Sequence, residues 1–218
     1  SLANYVAALR SITYHSTSED PTLTSSTRTI TWVVTDANSD GAGAANSFGV
    51  TSTITITPLS DLPVITAGDT LVYTENGISQ VIDNTITISD IDDTELAGAS
   101  AKISSGFTTG DILTFTSQNG ITESSNSGGV LIINGMASLS SYKTALRSIT
   151  YHSTSEDPTD NSNTRTITWV VTDANSEGLG AQTSASESSS ITITPINDVP
   201  VVTAGDTLTY TENGSGLA

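Results

Sequence analysis

Carboxylates gather at two kinds of place in this chain, and both spacings suit a hard cation. Asp90-Ile91-Asp92-Asp93 sets adjacent and alternate acids at the end of an alternating apolar run, where they repel one another unless a cation sits among them. Asp36-Ala37-Asn38-Ser39-Asp40-Gly41 carries Asp, Asn, Asp and Gly in the first, third, fifth and sixth places of a loop, as at the opening of a calcium loop. The glutamate that would close an EF-hand loop is replaced by Ser47, and no helical pattern precedes the loop, so an EF-hand is not expected. A second copy, Asp173-Ala174-Asn175-Ser176-Glu177-Gly178, keeps an oxygen ligand in the fifth place.

Other chemistry finds less support. His15 and His152 each stand beside serine and ahead of Glu-Asp, but no Gly-x-Ser-x-Gly elbow surrounds a serine and no oxyanion site is apparent. Paired carboxylates could serve a glycosidase, yet that reaction needs an aromatic-lined cleft, and Trp32 and Trp169 fall on the inward side of alternating runs. The chain contains no cysteine, which excludes disulfides and thiolate zinc sites. No enzyme is expected. Asn213-Gly214-Ser215 fits the glycosylation pattern.

The elements that must position these acids are set by a repeat. Ala8 to Thr22 recurs unchanged as Ala145 to Thr159, and the same offset of 137 residues carries Thr29 to Ser39 onto Thr166 to Ser176 and Pro58 onto Pro195. A period this long suits a whole domain rather than a solenoid coil. Residues 1–60 read as the last part of one module, 61–197 as a complete module and 198–218 as the start of a third. Ser1 opens mid-module, so the sequence is expected to be an excerpt, with any targeting signal elsewhere.

Within the complete module, Thr85 to Ser89, Thr166 to Thr172 and Ser190 to Thr194 alternate Ile, Trp or Val with Thr or Ser, as half-buried antiparallel strands do. Further runs at 63–66, 71–74, 99–103, 111–116, 130–133 and 148–152 bring the total to eight or nine strands. Leu139, Tyr142 and Leu146 share one helical face behind a capping Ser138, which predicts one short helix. The expected fold is all-β: tandem Greek-key antiparallel β-sandwiches, each with one short helix.

Charge narrows the partners. Six Lys and Arg face 23 Asp and Glu, a net charge of -17, which repels nucleic acid and anionic membrane surfaces and attracts divalent cations. No apolar run of roughly 18 residues occurs, so no membrane insertion is expected within this segment.

The junction Pro195-Ile196-Asn197-Asp198-Val199-Pro200 resembles the linker of cadherin repeats and of the cadherin-like modules that form long arrays in bacterial surface adhesins, including large repeats-in-toxin adhesins. Trp169-Val170-Val171-Thr172-Asp173 is similar to the cadherin strand that ends in Asp, and Asp90-Ile91-Asp92 to its Asp-x-Asp pair. The resemblance implies calcium between modules. At the first junction it points to Glu19 or Asp20 at one base, Asp61 in the linker, and Asp90, Asp92 and Asp173 at the next top. At the second it points to Glu75 with Glu156 or Asp157, and to Asn197 and Asp198 in the linker, the third module's top lying past Ala218. The first linker has Ser60 where the second has Asn197, and neither has the cadherin Asp two residues earlier, so one or two ions per junction are expected.

Calcium takes about 6–8 oxygens. If these come from two modules and their linker, the ion locks a joint that is otherwise hinged. The resulting expectation is an extracellular, cell-surface extender repeat of an adhesin whose partners are the adjacent modules of the same chain. The alternative is a subunit of a self-assembling filament or sheath, in which copies of the chain complete one another by strand exchange.

Overall fold

The computed structural model describes residues 1–213; the last residues of the third stretch, with Gly214 and Ser215 of the glycosylation pattern, lie outside the described residues. The first stretch holds α1 (Leu2–Arg10), β1 (Thr27–Trp32) and β2 (Val50–Thr55). The complete module holds β3 (Val64–Thr66), β4 (Thr70–Thr74), β5 (Gln80–Val81), β6 (Thr87–Ser89), β7 (Glu95–Ser105), β8 (Asp111–Thr114), β9 (Thr122–Ser127) and β10 (Val130–Ser138). It continues through α2 (Leu139–Arg147), β11 (Thr150–Ser153), β12 (Thr164–Asp173) and β13 (Glu187–Thr194). Residues 198–213 form no strand.

The module is an all-β sandwich. Its large sheet has the order β4-β13-β12-β7-β10-β9; a three-stranded sheet β5-β11-β8 and the pair β3-β6 complete it. One contiguous core includes Trp169, Tyr73, Tyr142, Tyr151, Leu131 and Ile133. Short α2 begins at Ser138, whose Oγ accepts from the Ser141 amide at 3.1 Å, and buries Tyr142, Ala145 and Leu146.

Two features differ from an all-antiparallel reading. β4 pairs with β13 in parallel, Leu71 opposite Ile191 and Tyr73 opposite Ile193. β9, Thr-Glu-Ser-Ser-Asn-Ser, is exposed along its whole length at the sheet edge. With no apolar residue to bury it carries no alternation, and only its ladder with β10 defines it as a strand.

β12 shows most plainly how sequence sets the fold. Its two-residue period sends Arg165, Ile167, Trp169, Val171 and Asp173 to one buried row while the residues between them are half-buried. The apolar centre of that row packs in the core, and each end carries a charge. Arg165 meets Asp111 with Nε to Oδ2 at 2.6 Å and Nη2 to Oδ1 at 3.3 Å, a forked pair that the Tyr151 hydroxyl completes by donating to Asp111 Oδ1 at 2.6 Å. The remaining guanidinium hydrogens go to the carbonyls of Pro158, Ser162 and Thr164. At mid-strand the Trp169 indole donates to Ser189 Oγ at 2.8 Å, and Ser189 donates to Asp83 Oδ2 at 2.6 Å. Burial works against the Asp83 carboxylate, but the Ser189 and Thr85 hydroxyls and the Gly68 and Asp69 amides outweigh it and hold the group far below the usual carboxylate range.

The buried pair generates a stability prediction. Asp111→Ala strands the Arg165 charge in the core and is expected to cost about 3–5 kcal/mol in urea unfolding. Asp157→Ala removes an exposed side chain that closes only its own turn with Thr159, and its cost is expected to stay within about 0.5 kcal/mol.

Candidate metal centre

The acidic end of β12 meets the turn between β6 and β7, which brings together acids far apart in sequence. Asp90 leaves β6, and its Oδ1 accepts from the Asp92 and Asp93 amides at 3.2 and 3.1 Å, curling the chain so that successive carboxylates face one region. From β12, Asp173 Oδ1 accepts from the Asn175 amide at 3.0 Å and Oδ2 from the Gln182 amide at 2.9 Å, while Asn175 Oδ1 accepts from the Gly180 amide at 2.7 Å. The loop needs left-handed backbone at Asn175 (φ 58°) and Gly178 (φ 70°), which accounts for Asn and Gly in the repeated motif. The two loops are tied by the Ser176 amide, which donates to Asp93 Oδ1 at 3.2 Å.

Two carboxylate groups result. Oxygens of Asp90, Asp93 and Asp173 lie within 4.8 Å of one another, and so do oxygens of Asp92, Asp93 and Glu177. Asp93 belongs to both groups and is buried, as is Asp173. Asp90 Oδ2, Asp92 Oδ1, Asp93 Oδ2 and Glu177 Oε2 are shielded from solvent and accept no hydrogen bond. Among the described residues the ion pair is Arg165–Asp111, so no basic side chain neutralises this cluster. Desolvated anionic oxygens without donors are costly, and an all-oxygen donor set suits calcium or magnesium rather than a softer metal. The residues present therefore fit a hard divalent ion.

The linker reaches the same place. The Asp61 amide donates to Asp92 Oδ2 at 2.7 Å, and the neighbouring Ser60 Oγ is shielded and unpartnered. At the far end of the module Glu75 is buried: its amide donates to the Thr194 carbonyl, its Oε2 accepts from the Ile196 amide at 2.7 Å, and its Oε1 has no partner.

Of the residues singled out by sequence, Asp90 and Asp173 fall in one group and Asp92 in the other, with Asp61 joined to Asp92 through its backbone. Glu19 is exposed, and Asp20 closes its own turn, its Oδ1 accepting from the amide and hydroxyl of Thr22. Asp157 does the same with Thr159, and Glu156 is exposed. Glu75 meets the second linker at Ile196, while Asn197 and Asp198 stand in solvent. Asp93 and Glu177 are not among the junction ligands that the cadherin resemblance implies. The signal for both was present: Asp93 closes the acidic run, and Glu177 fills the fifth place of the repeated loop.

His152 Nδ1 meets the Ser79 hydroxyl at 3.2 Å, and among the described residues no carboxylate is bonded to the ring. Trp169 is wholly buried and offers no sugar platform.

No family model matches the chain. A stretch of 108 residues, 46% of the chain, is 33% identical to halomucin of Haloquadratum walsbyi, and the match spans 1% of the length of that relative. Among the described residues no helix is long and apolar enough to cross a membrane.

The cluster makes a pH prediction. Burial, reinforced by the neighbouring Asp92 carboxyl, pushes Asp90 up to about 6. Between the ordinary carboxyl value near 4 and about 6 the folded protein holds a proton that the unfolded chain releases, so this group's contribution to stability declines as pH rises through that window. In chelator, the urea midpoint is expected to fall more between pH 4.5 and 6.5 in the native chain than in Asp90→Asn. Equal falls would contradict the assignment.

Proposed function

We propose that the protein is a structural extender: 137-residue β-sandwich modules joined end to end in a cell-surface protein, with calcium bound where one module meets the next. The observation that carries this reading is the sharing of buried Asp93 between two carboxylate groups in which one oxygen each of Asp90, Asp92, Asp93 and Glu177 has no donor, at the point where the linker amide of Asp61 enters. The likeness to halomucin, of which the match spans 1%, supports a structural role at the cell surface, and the sandwich fold agrees with it.

The mechanism is electrostatic. Asp90, Asp93 and Asp173 would hold one ion and Asp92, Asp93 and Glu177 a second, with Ser60 and Asp61 bringing the linker into the donor set. Bound ions replace mutual repulsion among the acids by attraction to a common centre, and they fix the linker against the module top. At the other end, the open oxygen of Glu75 beside the second linker gives the next module's top a matching ligand. The array would be a rod with calcium and a jointed string without it. Carriage of a distal adhesive domain is the role that such a rod would serve.

Two measurements follow. Calcium is expected to raise the Tm of the native chain by several degrees, as binding to the folded state alone requires, and Asp93→Asn, which breaks both groups at once, is expected to abolish the rise. Small-angle scattering is expected to give a longer, more rigid particle in calcium than in excess chelator, and the same length in both would overturn the rigid-joint reading.

A further inference from the structure

The two carboxylate groups around Asp93 are not equivalent. Asp90, Asp93 and Asp173 come from the turn after β6 and the end of β12, and two of the three are buried, Asp93 at 2% and Asp173 at 0% exposure. In the group of Asp92, Asp93 and Glu177 only Asp93 is buried. Among the described residues the linker meets this second, less buried group: the Asp61 amide donates to Asp92 Oδ2 at 2.7 Å, and the hydroxyl of the neighbouring Ser60 is shielded with no partner.

Every acid of the second group is divided in the same way. One oxygen is tied within the protein, Asp92 Oδ2 by the Asp61 amide, Asp93 Oδ1 by the Ser176 amide and Glu177 Oε1 by the Ser176 hydroxyl. The other, Asp92 Oδ1, Asp93 Oδ2 or Glu177 Oε2, is shielded and has no donor. The open oxygen of Asp93, on a side chain this deeply buried, points to a ligand rather than to a solvated acidic turn.

Glu177 is not needed to shape its own loop. Asp173 sets that loop by accepting from the Asn175 and Gln182 amides, and Asn175 by accepting from Gly180. The first copy is set in the same way, by Asp36 with the Asn38 and Ala45 amides and by Asn38 with Gly43. In that copy the fifth-place Asp40 accepts from the Ala42 amide of its own loop. Glu177, one methylene longer, instead places an oxygen beside those of Asp92 and Asp93.

We propose that the two positions divide the work of the joint. The ion held by Asp90, Asp93 and Asp173 fastens the turn after β6 to the end of β12 within the module. The ion held by Asp92, Asp93 and Glu177 is the one that takes the linker, with the Ser60 hydroxyl as a direct oxygen ligand. Neither Glu177 nor Ser60 belongs to the ligand set that the cadherin resemblance implies. The first position fills at lower calcium, because the second must also offset the entropy of ordering the linker, and a cation already on Asp93 weakens its pull on the next. The division rests on the calcium reading above and adds which ion does the locking.

Amide exchange across a calcium titration of the full chain tests it, read at residues 59–62 for the linker and 90–94 for the module top. In the native chain both segments are expected to slow, the top at lower calcium than the linker. Glu177→Gln, which keeps an acceptor for Ser176, and Ser60→Ala are each expected to speed linker exchange in saturating calcium by about tenfold or more while the top stays protected. Linker protection equal to that of the native chain in either variant would overturn the inference, and so would loss of linker and top protection together. Calcium that leaves both segments of the native chain unchanged would remove the calcium reading itself, and the division with it.

Discussion

A buried carboxylate must be met by hydrogen-bond donors, by a basic side chain or by a cation, and this requirement arranges the whole module. Among the described residues Glu75, Asp83, Asp93, Asp111 and Asp173 are buried, against a single buried base, Arg165. Asp111 takes that base and the Tyr151 hydroxyl. Asp83 is satisfied by the Gly68, Asp69 and Thr85 amides and the Thr85 and Ser189 hydroxyls, and so pins the β3–β4 corner to β13. Asp93 and Glu75 each keep an oxygen that none of the described residues satisfies, and they lie where the module meets its two linkers.

β12 connects these solutions. Along its buried row Arg165 and Asp173 are eight residues apart, about 26 Å at the rise of an extended strand, with Ile167, Trp169 and Val171 between them. One strand therefore ends in a neutralised charge at one side of the core and an unneutralised charge at the other. The packed centre transmits no special signal; its task is to hold the acidic end at a fixed distance from the opposite linker. Repeating such a module at a constant offset repeats the same spacing, which is the property an extender needs.

Much of this was legible in the sequence. Alternation placed Trp169 and its neighbours in the core, and the i, i+3, i+7 pattern placed α2. The parallel β4–β13 ladder was not legible, because pairing direction depends on where the chain returns rather than on local pattern. Nor was β9, whose Thr, Ser and Glu residues bury nothing. At the site, the Asp-x-Asp pair and the Asp ending β12 stood out, but the place of Asp93 in both groups follows from a contact with Ser176 across more than eighty residues of chain. Asp20 and Asp157 were expected as ligands through the cadherin resemblance, although their spacing to Thr22 and Thr159 is that of an acid closing its own turn.

We propose that the acids around Asp93 hold cations, and isothermal titration of calcium into the full chain at neutral pH, in a background of sodium and magnesium, decides it. Saturable binding of two ions for the complete module is expected. No binding at millimolar calcium would contradict it.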